Sequence, residues 1–160
     1  RGAGFAEENN LLLFNQLFYS ATRRIVAVSP YFVPDESMLS ALITAARRGV
    51  EVELFVSEIG DQFLVFHAQR SYYPTILHAK HVTIDDSVSV IGSSNMDMRS
   101  FLLQMECSLM VGGTDFMEKM REVEDTYRSR SRQLTHEEWE SRPRVMQVID
   151  NLCRLASSVV

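Results

Sequence analysis

Residues 77–97 read LHAKHVTIDDSVSVIGSSNMD. No other stretch limits the possible folds of this chain as tightly. Val82, Thr83 and Ile84 precede Asp85-Asp86-Ser87, and Val88, Val90 and Ile91 follow it. β-favouring residues thus flank a turn-forming trio. The pattern predicts a strand over Leu77–Ile84, a turn over Asp85–Ser87 and a second strand over Val88–Ile91. Strands joined so closely pair antiparallel. A lone hairpin is marginal in water, so the rest of the chain has to supply more sheet and something to cover it.

The flanking sequence supplies both. Leu11, Phe14, Leu17, Phe18 and Ala21 recur at helical spacing, which predicts a helix over Glu8–Thr22. RIVAVS reads as a buried strand ended by Pro30, and YFVP as a loop. Asp35 is placed to cap a helix with Met38, Leu39, Leu42, Ile43 and Ala46 on its apolar face, and Gly49 is placed to end it. Val50, Val52, Leu54 and Val56 alternate with Glu51, Glu53 and Phe55, as a strand requires. A helix is expected over Asp61–Tyr73, a strand over Glu106–Val111, and a long helix after Gly112-Gly113 with the stripe Phe116, Met120, Val123 and Tyr127. The order of elements predicts a layered α/β fold. From Ser129 to Val160 the chain reads as a helical tail. It holds a capping box at Thr135–Glu138 and an amphipathic run Val145, Val148, Ile149, Leu152 and Leu155.

Composition removes some functions. The 160 residues are 46% apolar, ordinary for a globular domain, and carry a net charge of −5. A basic field that would draw nucleic acid or anionic lipid is therefore absent on average, though a local basic pocket stays open. Cys107 and Cys153 alone supply neither a disulfide framework nor a metal cluster. No apolar run reaches bilayer-spanning length. The chain begins at Arg1, and it is read as a fragment of a larger protein.

On a strand, His78 and Lys80 would face the same way. If the hairpin folds back, Asn95 reaches the same region, and Ser93 and Ser94 add hydroxyls beside Gly92. One titratable nitrogen, one cation and several neutral donors make a credible pocket for phosphate or an oxyanion. Glu106, on the following strand, is the candidate to orient His78. Taken singly, each has a plain structural use: a satisfied histidine, a snorkelling lysine, turn-forming Asn95 and Asp97. Their convergence on one hairpin favours chemistry. Tyr31 and Phe32 follow a strand, where α/β ligands commonly bind. They either line a substrate channel or pack locally. Arg23, Arg24, Arg47 and Arg48 are read as ordinary helix-end cations. Arg99 either serves the site or pairs with an Asp.

His78-x-Lys80-x-x-x-x-Asp85 followed by Gly92-Ser93-x-Asn95-x-Asp97 resembles the signature of the phospholipase D superfamily. The segments SPYFVPDE, AARRGVEVELFVSE, MRSF and SRQLTHEEWESRP are similar to the C-terminal catalytic half of bacterial cardiolipin synthases. The resemblance covers nearly the whole chain. It implies a layered sandwich, a mixed sheet flanked by helices with one catalytic motif per domain, as a half-domain over residues 1–160. It implies catalytic roles for His78, Lys80, Asn95, Glu106 and Asp85, with Asp85 serving as a structural anchor. Ser93, Tyr31 and Phe32 would bind substrate. His78 would be the acid/base partner of a nucleophilic histidine carried by another half, either in the same parent chain or in a second copy.

The implied reaction passes a phosphatidyl group between two phosphatidylglycerol molecules through a phosphohistidine, giving cardiolipin and glycerol without metal or cofactor. The parent would belong to a bacterial cell membrane, this fragment being soluble, and nucleic acid is not an expected partner. Two other functions fit the residues: a homodimeric single-motif phosphodiesterase or nuclease, and a non-catalytic half-domain that completes a partner's site. The sequence departs from the family at Gln104, where members usually carry Asn two residues before the glutamate. It departs again at Tyr73–Pro74, where the resemblance implies that a stretch of chain is missing.

Overall fold

The computed structural model describes residues 9–57, 77–97, 100–101 and 104–144. The helix expected over Asp61–Tyr73, the Tyr73–Pro74 junction, Arg99 and the run Val145–Leu155 lie outside the described residues. The elements are α1 (Asn9–Ser20), β1 (Arg24–Val28), β2 (Phe32–Val33), α2 (Glu36–Arg47), β3 (Glu51–Phe55), β4 (His81–Ile84), β5 (Val88–Gly92), β6 (Met96–Asp97), β7 (Ser108–Gly112), α3 (Thr114–Arg130) and α4 (His136–Glu140).

Five strands form one open sheet in the order β3-β1-β4-β5-β7. β1 runs parallel to β3, and the β1–β4, β4–β5 and β5–β7 pairs are antiparallel. This is the mixed sheet flanked by helices that the motif implies. The register aligns one apolar face: Ile25 and Ala27 stand opposite Ile84 and Val82, and Val82 stands opposite Val90. These residues share a core with Leu11, Phe14 and Phe18 of α1 and Met38, Ala41, Leu42 and Ala45 of α2. Each large side chain so buried stabilises the fold by roughly 1.5–3 kcal/mol before entropy is charged against it. Phe14 stacks on Phe18 and meets the edge of Phe101, so the segment after the signature is tied into this core. The opposite face carries a buried pair, Thr83 facing Ser89, with their hydroxyls 3.3 Å apart.

Local signals act as their chemistry requires. The Asp35 carboxylate accepts from the Met38 N–H at 2.8 Å, and Gly49 follows the helix at φ +87°, where a side chain would be strained. The Arg48 guanidinium donates to the carbonyls of Phe18, Tyr19 and Ala21, which α1 leaves unpaired at its end.

The structure differs from the sequence expectation at four strands: β7, expected over Glu106–Val111, spans Ser108–Gly112, so Glu106 lies just before it, and β4, β3 and β2 differ as well. β4 begins at His81, not Leu77. The β1 ladder ends at Val28 opposite His81, and Ser29-Pro30 turns away, so residues 77–80 have no partner on that side. On β3 the alternation reverses at its end: Phe55 is buried and Leu54 exposed, as an edge strand permits. The YFVP loop contains β2, which pairs in parallel with β6 through Phe32↔Met96 and Val33↔Asp97.

The chain divides into two compact units, residues 1–122 and 123–160. The division falls within α3, ahead of Ser129. In the second unit, Thr135 and Glu138 form the expected capping box on α4, and Arg142 lies over the Trp139 ring.

Candidate active site

Strand directions decide where the signature residues collect. β1 and β3 run toward one end of the sheet, β5 finishes there, and β4 and β7 start from it. Residues 29–33, 77–80, 92–97 and 104–107 all lie at that end. Asp85 does not. Four residues of β4 carry it to the opposite end, roughly 13 Å along the strand.

His78 is exposed, and Lys80 folds back over it. The Lys80 Nζ donates to the His78 carbonyl at 2.9 Å and lies 3.4 Å from both ring nitrogens. Burial pushes the Lys80 ammonium below the ordinary lysine range, and the Glu106 carboxylate pulls it partly back. Glu106 is thus close enough to act on the cation. The lysine carbonyl accepts from the Gly92 N–H at 3.1 Å, which ties the His78–Lys80 segment to the Gly-Ser end of β5.

Gly92 is required by close approach. A Cβ there would stand 2.5 Å from the Cys107 carbonyl and 2.7 Å from the Ser108 hydroxyl. Immediately beyond it, the Ser93 N–H donates to the Cys107 carbonyl at 3.1 Å, and the Ser93 hydroxyl accepts from the Cys107 N–H at 3.0 Å. Ser93 therefore holds the residue next to Glu106. The hydroxyl proton points toward the Cys107 carbonyl only loosely, at 3.5 Å.

Asn95 sits between β5 and β6. Its side-chain oxygen is buried and has no hydrogen-bond partner among the described residues. A buried, unmatched acceptor is costly in a fold and common where a ligand binds. Asp97 accepts from the Ser100 N–H at 2.7 Å. The Ser100 hydroxyl donates to Gln104 Oε1 at 3.3 Å, so the amide at this departure from the family pattern has a local partner.

Phe32 is half-buried against the core, and Tyr31 is exposed. The β2–β6 pair brings their segment beside Asn95 and Met96. Among the described residues no group of His, Cys, Asp and Glu is arranged to hold a metal ion.

Sequence reasoning passed over Ser29, which is fully buried and bonds across to Met96. A hydroxyl closing an otherwise apolar strand, just before Pro30, was the available signal.

The arrangement offers a cation whose charge burial disfavours, a nearby carboxylate, an exposed imidazole and an open amide. An arriving anion would pair with the Lys80 ammonium, and the imidazole could exchange a proton or form a bond with it.

Comparison with known proteins identifies the family. Residues 14–126 match the family described as "Cardiolipin synthase, PLD-like domain". Cardiolipin synthase A of Proteus mirabilis is 36% identical over 99% of this chain and 36% of its own length. Cardiolipin synthase A of Pseudomonas putida is 35% identical over the same shares. The chain thus spans about a third of the length of these relatives. Among solved structures, Nuc from Salmonella typhimurium, a phospholipase D family member, shares the fold with a TM-score of 0.64 at 20% identity, over 78% of this chain and 90% of that one. Phosphatidylserine synthase of Haemophilus influenzae gives a TM-score of 0.68 at 17% identity, over 96% of this chain and 44% of that one. The chain belongs to the phospholipase D-like domain family of cardiolipin synthases and matches one motif-bearing half-domain of that superfamily.

Proposed function

We propose that this domain supplies one half of the active site of a phosphatidyltransferase that makes cardiolipin and glycerol from two molecules of phosphatidylglycerol. The supporting observation is the gathering of His78, Lys80, Asn95 and Glu106 at one end of the sheet, in a chain about a third identical to cardiolipin synthases.

In this reaction a histidine of the second half attacks the phosphodiester of the first phosphatidylglycerol. A P–N bond forms, and the P–O bond to the glycerol headgroup breaks. His78, as imidazolium, gives its proton to the departing glycerol oxygen. The now neutral His78 takes the proton from the headgroup hydroxyl of a second phosphatidylglycerol. That oxygen attacks phosphorus, the P–N bond breaks, and cardiolipin leaves. Lys80 and the Asn95 amide meet the phosphoryl oxygens, where negative charge grows in the transition state. Ser93 supports them, and Glu106 orients His78 and steadies its charged form. Tyr31 and Phe32 flank the lipid. The second half comes from the same parent chain or from another copy. Membrane association belongs to the parent. No helix among the described residues is long and apolar enough to cross a membrane.

The test uses the full-length protein in mixed micelles of detergent and phosphatidylglycerol, with products read by mass spectrometry. Cardiolipin plus glycerol, both lost in His78→Asn, is expected. Phosphatidic acid alone would replace transfer with hydrolysis. Intact phosphatidylglycerol beside cleaved nucleic-acid phosphodiester would favour the single-motif nuclease.

A further inference from the structure

Asn95 presents a physical problem. Its side-chain oxygen has no hydrogen-bond partner among the described residues, so hydrogen bonds to that atom do not fix its direction. Its backbone, by contrast, is held. The peptide that joins Asn95 to Met96 is held at both ends. The Met96 N–H donates to the Ser29 hydroxyl at 3.1 Å, and the Asn95 carbonyl accepts from the Ser94 hydroxyl at 3.2 Å. Both serines are buried, Ser29 completely. A peptide plane held by its donor and by its acceptor cannot rotate without breaking a bond inside the protein, where the loss is not made good by water.

Ser29 makes a second connection. Its hydroxyl donates to the Tyr31 carbonyl at 2.5 Å, and its own N–H continues the β1–β3 pairing to Phe55. One hydroxyl thus joins the Tyr31–Val33 segment to the Asn95–Met96 peptide, 67 residues along the chain. The two-residue pair β2–β6 lies directly beyond this joint. A parallel pair that short has little cohesion of its own, and the joint sets its register.

We propose that Ser29 and Ser94 are positioning residues for Asn95, their hydroxyls clamping the Asn95–Met96 peptide, and that Ser29 locks the Tyr31–Val33 segment to the same clamp. The proposal rests on the reading that Asn95 meets the phosphoryl group. Ser29 holds two segments and Ser94 one, so Ser29 matters more.

The test measures kcat and KM of the full-length protein on phosphatidylglycerol and on bis(p-nitrophenyl) phosphate, together with hydrogen exchange at the Met96 amide. Ser29→Ala is expected to lower kcat about 10- to 100-fold, the scale of a group misplaced by about 1 Å. Met96 exchange should accelerate. Ser29→Thr keeps the hydroxyl and should restore most of the activity. The diagnostic step is the double variant: with Asn95→Ala present, Ser29→Ala should slow turnover of bis(p-nitrophenyl) phosphate, which has no lipid for Tyr31 and Phe32 to flank, by less than about twofold, as coupled residues behave. Ser94→Ala, which leaves both Ser29 bonds in place, should give a smaller fall that Asn95→Ala also masks. It serves if Ser29→Ala does not fold.

Wild-type kcat in folded Ser29→Ala, or losses that multiply with Asn95→Ala, would overturn the clamp. Turnover of the synthetic diester but not of phosphatidylglycerol would remove the lipid reading and leave the clamp open to the same comparison. A wild-type protein inert on both would overturn both.

Discussion

The two ends of the sheet treat their polar groups in opposite ways. At the far end, the Asp85 carboxylate accepts from the N–H groups of Thr22, Arg23 and Arg24 and from the Thr22 hydroxyl, at 2.6–2.9 Å. Asp86 draws in Arg23, Arg24 and Arg121. Both aspartates take positive φ, 51° and 58°, an uncommon conformation that Asp tolerates and that these bonds stabilise. At the site end, the Asn95 side-chain oxygen has no hydrogen-bond partner among the described residues, burial pushes the Lys80 ammonium below the ordinary lysine range, and His78 is exposed. One end spends its polar capacity inside the protein. The other leaves the His78 ring exposed and, among the described residues, the Asn95 oxygen unmatched. The difference separates the two kinds of residue within a single sequence signature: Asp85 maintains the hairpin that presents His78 and Lys80.

Substitutions at the two ends should therefore fail in different ways. The largest effect is expected from His78→Asn: no measurable turnover, with thermal unfolding close to wild type because the side chain is exposed. Parallel activity and melting measurements check it, and a large drop in melting temperature would blur the contrast. Lys80→Ala comes next. It should cost about 3 kcal/mol of transition-state stabilisation, the scale of one lost oxyanion donor, again with little change in stability. Steady-state kinetics decide it.

At the far end, Asp85→Asn should lower stability by about 2 kcal/mol, since an amide turns one acceptor into a donor facing backbone N–H groups. kcat of the folded variant should be unchanged. Its pH dependence has a definite sign. Burial alone would raise the Asp85 pKa, but the N–H groups of Arg24, Thr22 and Arg23 and the Thr22 hydroxyl hold it below the usual range. Its contribution is then full above the unfolded pKa of about 4 and is lost as pH falls through the lower folded value. Denaturant titrations down to about pH 3 should show that loss in wild type and not in the variant.

The smallest effect is expected from Glu106→Gln, roughly 1 kcal/mol in kcat, a neutral amide replacing one charge-assisted contact. Removing the carboxylate takes away what raises the Lys80 pKa, so the alkaline limb of the pH–rate profile should move to lower pH. An unmoved limb would separate Glu106 from the cation.

Much of this was legible in the sequence because it is local. The hairpin, the Asp35 cap and the Thr135–Glu138 box depend on residues within a few positions of each other. His78, Lys80 and Asn95 of the signature fall at one end of the sheet because strand direction follows from short connections. What was not legible depends on distant partners. β4 starts at His81 because β1 stops offering a partner at Val28. β2 and β6 pair beside a hydrogen bond between Met96 and Ser29, distant in sequence. A buried serine hydroxyl announces neither which way it turns nor what it holds. The resemblance already implied that Asp85 is a structural anchor, but its place at the opposite end of the sheet from Lys80 shows only once the strand is placed.

The most direct measurement of the central claim is headgroup exchange. Full-length protein is incubated with phosphatidylglycerol and excess deuterated glycerol, and the lipid is followed by mass spectrometry. Transfer through a covalent phosphatidyl intermediate should place the deuterated headgroup on phosphatidylglycerol, and His78→Asn should abolish the exchange. Phosphatidic acid accumulating with no deuterium in the lipid, or exchange that persists undiminished in His78→Asn, would contradict it.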